Sequence, residues 1–177
     1  MQLTAPGLVL RPWLEADAPA VQTALSDPDI ARWNPQGWPV DEERTLSWLR
    51  SRADWSAGDH ASLAVADATD GTLLGSVSLH HIHGDEAEIG YWIVPAARGR
   101  GVASRAVTLL TRWGFGQLEL HRIQLLHATA NPASCRVAVR TGYRLEGTLR
   151  ESFRYGDGRR HDEHLHARLA TDPWPGE

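Results

Sequence analysis

The chain has 177 residues, 42% of them hydrophobic and 23% charged, with 22 acidic side chains against 18 basic ones. That length suits one domain over residues 1–177, able to bury roughly two thirds of its unfolded surface. A formal charge of −4 gives no global reason for a nucleic-acid partner, and no run reaches the roughly 18 apolar residues of a membrane span. Cys135 is the only cysteine, which excludes an intramolecular disulfide and predicts a reducing, cytoplasmic setting.

Leu8-Val9-Leu10-Arg11-Pro12 reads as a short first strand ended by proline. Leu14, Ala18, Val21 and Leu25 recur at helical spacing and predict a first helix. Pro28, Asn34, Pro35, Gly37 and Pro39 make the following segment irregular, with Trp33 and Trp38 embedded in it. A second helix is predicted from an Asp41 cap through Leu46, Leu49 and Ala53 to a stop near Gly58. Strands around Leu63–Val65 and Val77–Leu79 flank the turn Asp70-Gly71, which predicts a hairpin.

A second turn at His83-Gly84-Asp85 leads to a strand from Glu86 to Val94, ended by Pro95. The clearest helix follows a glycine-rich stretch and sets Val102, Ala106, Leu109, Leu110 and Trp113 on one face. Arg122 to Thr129 reads as a strand, and a short helix runs from Pro132 to Thr141, ended by Gly142. Closing strands at about Tyr143–Ser152 and His161–Ala170 flank the polar turn Tyr155-Gly156-Asp157-Gly158. The order β-α-α-β-β-β-α-β-α-β-β is an α/β fold whose mixed, mostly antiparallel sheet has seven strands and four helices around it.

The informative stretch is Ile93-Val94-Pro95-Ala96-Ala97-Arg98-Gly99-Arg100-Gly101-Val102-Ala103, which joins a strand end to an amphipathic helix start. A helix start leaves unpaired N–H groups and the positive end of the macrodipole facing one point. Gly99 and Gly101 let the backbone turn sharply and approach a ligand, while Arg98 and Arg100 add cationic donors. Together these describe a site for a diphosphate held mainly by backbone amides. No Gly-Lys-Ser/Thr follows, so it is not a P-loop, and the three-glycine dinucleotide spacing is absent.

Here the sequence resembles the GNAT (N-acetyltransferase) superfamily, whose acetyl-CoA loop Arg/Gln-x-x-Gly-x-Gly/Ala is matched by Arg98, Gly101 and Ala103. Leu8-x-Leu10-Arg11 with Asp17-Ala18 is similar to the opening of the subfamily that acetylates N-terminal amines of ribosomal proteins. Glu88-Ile89-Gly90-Tyr91-Trp92-Ile93 is similar to that subfamily's central strand. Asn131-x-x-Ser134, Gly142-Tyr143, Glu146-Gly147 and Leu149-Arg150 are similar to its C-terminal signature. The resemblance implies that the central strand splays from its parallel neighbour and that acetyl-CoA lies in the opening. Backbone groups of Ile93 and Val94 would then meet pantetheine, amides from Arg98 through Gly99, Arg100, Gly101 and Val102 to Ala103 the pyrophosphate, and Asn131 the pantetheine arm. Asn131 also reads as a plain helix cap.

The implied chemistry is direct attack of a neutral amine on a thioester, with no acyl-enzyme and no role for Cys135 as nucleophile. Glu88, six residues before Val94, is the first choice of base, directly or through water. Glu86 points to the same face unless a β-bulge, which the resemblance implies for this strand, changes the parity. An N–H near Val94 is a candidate for the oxyanion. Many family members carry a tyrosine seven residues after the asparagine as thiolate acid; here that position is Ala138, and the resemblance shifts the role to Ser134.

Trp33, Trp38, Tyr91, Trp92, Phe153 and Tyr155 are available for an acceptor pocket or for the core. Of the nine histidines, only His164 and His166 share a face, and no cysteine or carboxylate pattern completes a zinc site, so no metal is expected. The amine is a protein N-terminus or a small amine, no nucleic acid or membrane partner is expected, and a homodimer is possible through exposed edge strands. The rivals are a non-catalytic acyl-CoA-binding module and some other nucleotide-diphosphate binder.

Overall fold

The chain runs through β1 (Leu3–Ala5), β2 (Leu8–Arg11), α1 (Ala18–Leu25), α2 (Pro28–Trp33), α3 (Glu42–Ala53), β3 (Ala61–Asp67), β4 (Leu73–His83), β5 (Glu86–Ile93), α4 (Val102–Gln117), β6 (Arg122–Ala128), α5 (Pro132–Arg140), β7 (Arg144–Arg154) and β8 (Arg160–Leu169). These elements come from a computed structural model that describes residues 2–35 and 41–176. All the strands lie in one sheet, in the order β1-β2-β3-β4-β5-β6-β8-β7, and only β5 and β6 pair in parallel.

The described residues therefore contain eight strands and five α-helices, one of each more than the sequence pattern predicts. The extra strand, β1, is three residues long and pairs with β2 across Gly7, whose φ of 76° suits the tight turn. Three residues are too few to show a period. The extra helix, α2, falls where proline suggested irregular chain. Asp27 caps it by accepting from the Ile30 N–H at 3.0 Å, and Pro28 occupies its first turn, where no N–H is needed. Gly37, Trp38 and Pro39, the rest of that expected irregular stretch, lie outside the described residues.

The first predicted helix starts later than its apolar period suggests. Asp17 accepts from the Leu14 N–H at 2.9 Å and forms a bidentate pair with Arg11, which holds a 3-10 turn over Glu15–Asp17 before α1 begins.

Strand alternation divides the apolar residues between the sheet's two faces. Leu63, Val65, Val77, Leu79 and Ile89 pack with Val102, Ala106 and Leu110 of α4. Trp13, Val21, Leu49, Ala64 and Trp92 form the core on the other face, under α1 and α3. No helix among the described residues is long and apolar enough to cross a membrane.

Candidate active site

Parallel pairing of β5 with β6 stops at Glu88↔Gln124, although β5 continues to Ile93 and β6 to Ala128. β6 stays paired with β8 and β5 with β4, so the two central strands separate. The opening is a cleft of about 530 Å³ that reaches from Tyr91 and Ser134 to Gly99, Gly101 and Ala103.

At its far end Gly99 and Gly101 have φ of 73° and 72°, a region that side chains rarely adopt. Gly101 is the cap residue of α4, and no side chain caps that helix start. Its first N–H groups, at Val102, Ala103 and Ser104, have no intrahelical acceptor by the geometry of any helix. The Arg98 side chain has other work: Nε donates to the Ile93 carbonyl at 3.1 Å, and the guanidinium forms ion pairs with Asp27 and Asp29. Burial raises the Asp27 carboxyl, but bonds from Arg98 and the Ile30 amide hold it below its ordinary value overall. Arg98 thus latches the loop to α2. Arg100 is exposed and does not line the cleft.

Val94 departs from its expected role. Its N–H donates to the Leu74 carbonyl at 2.9 Å and its carbonyl accepts from Ala97 at 3.0 Å, so it holds the strand end rather than a ligand. Alternation along β5 then turns the backbone groups of Ile93 and Tyr91 away from β4, towards the opening.

On the facing side Asn131 caps α5, its side chain accepting from the Ser134 N–H at 3.3 Å. Ser134 Oγ lies 2.7 Å from the Tyr91 hydroxyl. Burial pushes the Tyr91 phenol up to about 12, opposed by its bond with Ser134. Ala138 is wholly buried. Behind Tyr91 a small cavity of about 50 Å³ shares Asn34, Gly90, Tyr91 and Trp92 with the cleft and adds Ser62, Ser76, Ser78 and His80.

Glu88 lines neither cavity. Its carboxylate lies 3.4 Å from His80 Nε2 and 3.1 Å from His81 Nδ1. The His80 bond is the main cause holding the Glu88 carboxyl below its usual range; burial opposes it, and His81 adds to it. The expected β-bulge is not in β5, whose register with β4 runs unbroken from Glu88 to Ile93. The irregularity falls in β4, between His80 and His83, where His81 has φ of 50°. That left-handed residue brings two consecutive histidines to one carboxylate. Glu86, on the same face as Glu88, is exposed.

Among the aromatic residues, Trp33 and Tyr155 line the cleft with ring centres 5.5 Å apart. Trp92 stacks on Trp13 in the core at 6.3 Å, and Phe153 is exposed. Trp38 lies outside the described residues.

One grouping escaped the sequence reading. The β6–β8 register sets His127 opposite His164 and Leu125 opposite His166, and α5 lays Cys135 against them. Sequence spacing joins only His164 with His166; antiparallel pairing supplies the rest.

Residues 7–144 match the family described as the acetyltransferase (GNAT) domain. The chain is 36% identical over 132 residues to the candidate ribosomal N-acetyltransferase YdaF of Bacillus subtilis (strain 168), across 73% of this chain and 68% of that one. It is 25% identical over 181 residues to spermidine N(1)-acetyltransferase of Escherichia coli (strain K12), across 98% and 95%. Among solved structures it is similar to Mycobacterium smegmatis RimJ in complex with CoA-disulfide, with a TM-score of 0.80 at 27% identity, covering 96% of this chain and 86% of that one.

Proposed function

The chain belongs to the GNAT acetyltransferase family, and on that premise we propose that it acetylates the α-amine of a protein N-terminus by direct transfer. It is an N-acetyltransferase, and acetyl-CoA is its co-substrate. The observation that carries the direct-transfer reading is the Tyr91–Ser134 hydroxyl pair, where the large cleft meets the small cavity.

In this reading acetyl-CoA lies between β5 and β6. The amides of Gly99, Gly101, Val102 and Ala103 hold the pyrophosphate, with Arg98 bracing the loop. The Ile93 N–H and Asn131 meet the pantetheine arm, and the Tyr91 N–H receives the oxyanion. The acceptor amine enters from the small cavity. His80, whose ring touches the Glu88 carboxylate and lines the cavity, takes the amine's proton, and Glu88 holds the imidazole in the accepting tautomer. The amine nitrogen bonds to the thioester carbon, the C–S bond breaks, and Ser134 donates a proton to the departing thiolate.

The choice of acceptor rests on the small cavity's lining. It holds Arg52, hydroxyls, indoles and an imidazole, and no carboxylate among the described residues. A polyamine keeps several positive charges and needs carboxylates to meet them. A protein N-terminus carries one amine of pKa about 7.7–8.0, a fair share of it neutral at working pH. We read residues 1–177 as one such domain in a cytoplasmic setting. The exposed Leu145, Leu149 and Phe153 on edge strand β7 support a homodimer.

The test is mass spectrometry of products after incubation with acetyl-CoA, peptides with free N-termini, and spermidine. Acetylation confined to peptide α-amines is expected. Turnover of spermidine alone would assign a small-amine acceptor instead.

A further inference from the structure

The cluster of His127, Cys135, His164 and His166 plays no part in the transfer chemistry above, and it has the form of a metal site. One ligand atom from each residue lies within 4.8 Å of the others. His127 and His166 are 4% and 1% exposed, yet the Nε2 atoms of both, and Nδ1 of His164, are buried with no hydrogen-bond partner among the described residues. The other nitrogen of each buried ring explains why. His127 Nδ1 lies 2.8 Å from the Ala128 carbonyl and His166 Nδ1 lies 3.2 Å from the Tyr143 carbonyl. A carbonyl only accepts, so each Nδ1 must carry the hydrogen, and each Nε2 is left a bare lone pair. Histidines that ligate metals are oriented by this same outward bond.

The ring spacing points the same way. With metal–nitrogen bonds of about 2.05 Å and tetrahedral angles, ring centres sit roughly 5.2 Å apart. The observed separations are 5.2 Å for His127–His166, 5.3 Å for His127–His164 and 6.0 Å for His164–His166. In the bound state nitrogen and sulfur ligand atoms would stand about 3.4–3.6 Å apart. An inward shift on the order of 1 Å closes the site. Two bare lone pairs, on His127 and His166, beside a third unpartnered ring nitrogen on His164 are costly in a buried setting. A cation satisfies all of them at once, and the fourth ligand, a thiol able to become a thiolate, selects a borderline-soft ion over magnesium or calcium.

We infer that His127, His164, His166 and Cys135 bind one divalent transition-metal ion of the zinc type, tying β6, β8 and α5 together at the cleft wall, which His127 helps line. Binding releases the Cys135 thiol proton to solvent. The ion would brace the start of α5, which carries Asn131 and Ser134, and would take no part in the transfer step.

The test uses the full chain, treated with chelator, dialysed, and titrated with zinc chloride by calorimetry and with cobalt chloride by absorption spectroscopy. One equivalent of zinc should bind with Kd below about 10 μM and raise the melting temperature. Cobalt should give the visible bands of a tetrahedral site and a near-ultraviolet thiolate charge-transfer band. Cys135→Ala and His164→Ala, both at half-buried positions, should each weaken zinc binding at least tenfold while the circular-dichroism spectrum stays that of the folded protein. Cys135→Ala should also abolish the charge-transfer band. His81→Ala, which breaks the separate His80–His81–Glu88 group, should leave zinc binding unchanged. Affinity weaker than about 10 μM would overturn the inference. So would binding that survives both cluster variants, or that His81→Ala removes.

Discussion

The Tyr91 hydroxyl and Ser134 Oγ lie 2.7 Å apart, across the gap between β5 and the first turn of α5. Ala138 has no hydroxyl, and on the proposed mechanism Ser134 of α5, backed by the Tyr91 hydroxyl of β5, takes the place of a family tyrosine. Burial pushes the Tyr91 phenol up to about 12, so on the proposed mechanism it can restore the proton that Ser134 would give to the thiolate. Ser134→Ala and Tyr91→Phe should each lower kcat by about 10–100-fold, roughly 1.4–2.7 kcal/mol. Because they share one proton path, the double variant should lose far less than the product of the two. A thioester with a more acidic leaving thiol should recover part of the loss. If Ser134→Ala lowers the melting temperature and spares kcat, the hydroxyl only ties α5 to Tyr91 of β5.

Gly101 tests the loop. Any side chain there is strained by the left-handed φ, and an added Cβ would come within 3.2 Å of Arg105 Nη1. Gly101→Val should weaken coenzyme A binding at least tenfold, about 1.4 kcal/mol, in calorimetry. Arg98→Ala should cost less affinity and more melting temperature, because its partners are Asp27, Asp29 and the Ile93 carbonyl. Unchanged affinity in folded Gly101→Val protein would remove the pyrophosphate from this loop.

What sequence reveals about this chain follows the reach of each interaction. The Asn131 cap, the glycines before α4 and the alternation of β5 are local, set within a turn or two, and all three are legible. The Tyr91–Ser134 contact spans 43 positions and needs the splay of β5 from β6, which no spacing encodes. The histidine cluster depends on the β6–β8 register in the same way. Val94 misled for a subtler reason: which of two consecutive N–H groups faces a neighbour is a matter of strand parity, fixed by β4 and not by β5 alone. Short elements fail differently, since β1 and α2 hold too few residues to display a period and declare themselves only through Gly7 and the Asp27 cap.

The C-terminal end of α5 gives a stability prediction. Gly142 ends the helix with φ of 80°, and an added Cβ would meet Arg168 Nη1 at 2.0 Å. That guanidinium is buried and donates to the carbonyls of Gly142 and Pro173, closing the end of the helix. Gly142→Ala must strain the backbone and displace a buried cation together. A loss of about 2–4 kcal/mol is expected, or roughly 5–15 °C in melting temperature. Gly158→Ala, where φ is 76° but nothing lies within 4 Å, should cost only the backbone part, about 1–2 kcal/mol. Equal losses at the two sites would show that Arg168 yields freely.

Glu88 is the remaining question, and its pH behaviour separates two mechanisms. The bond with His80, aided by His81 and opposed by burial, holds the carboxyl below its ordinary value of 4.5. A depressed carboxyl adds stability that is present above that ordinary value and lost as pH falls through the lower folded one. Glu88 is therefore ionised throughout neutral pH, and its own titration cannot produce an acid limb near neutrality. A carboxylate that stays charged serves best by holding His80 in the tautomer that accepts the amine's proton. On this reading Glu88→Gln should lower kcat by about 10²–10⁴ without changing coenzyme A affinity. His80→Ala should cost a similar factor, and the double variant little more, because the two act as a unit. If Glu88 were instead the sole base, His80→Ala would leave most of the rate and the acid limb would fall below pH 4.5. A drop of less than about threefold in Glu88→Gln would make the carboxylate structural and pass the proton to water or Glu86.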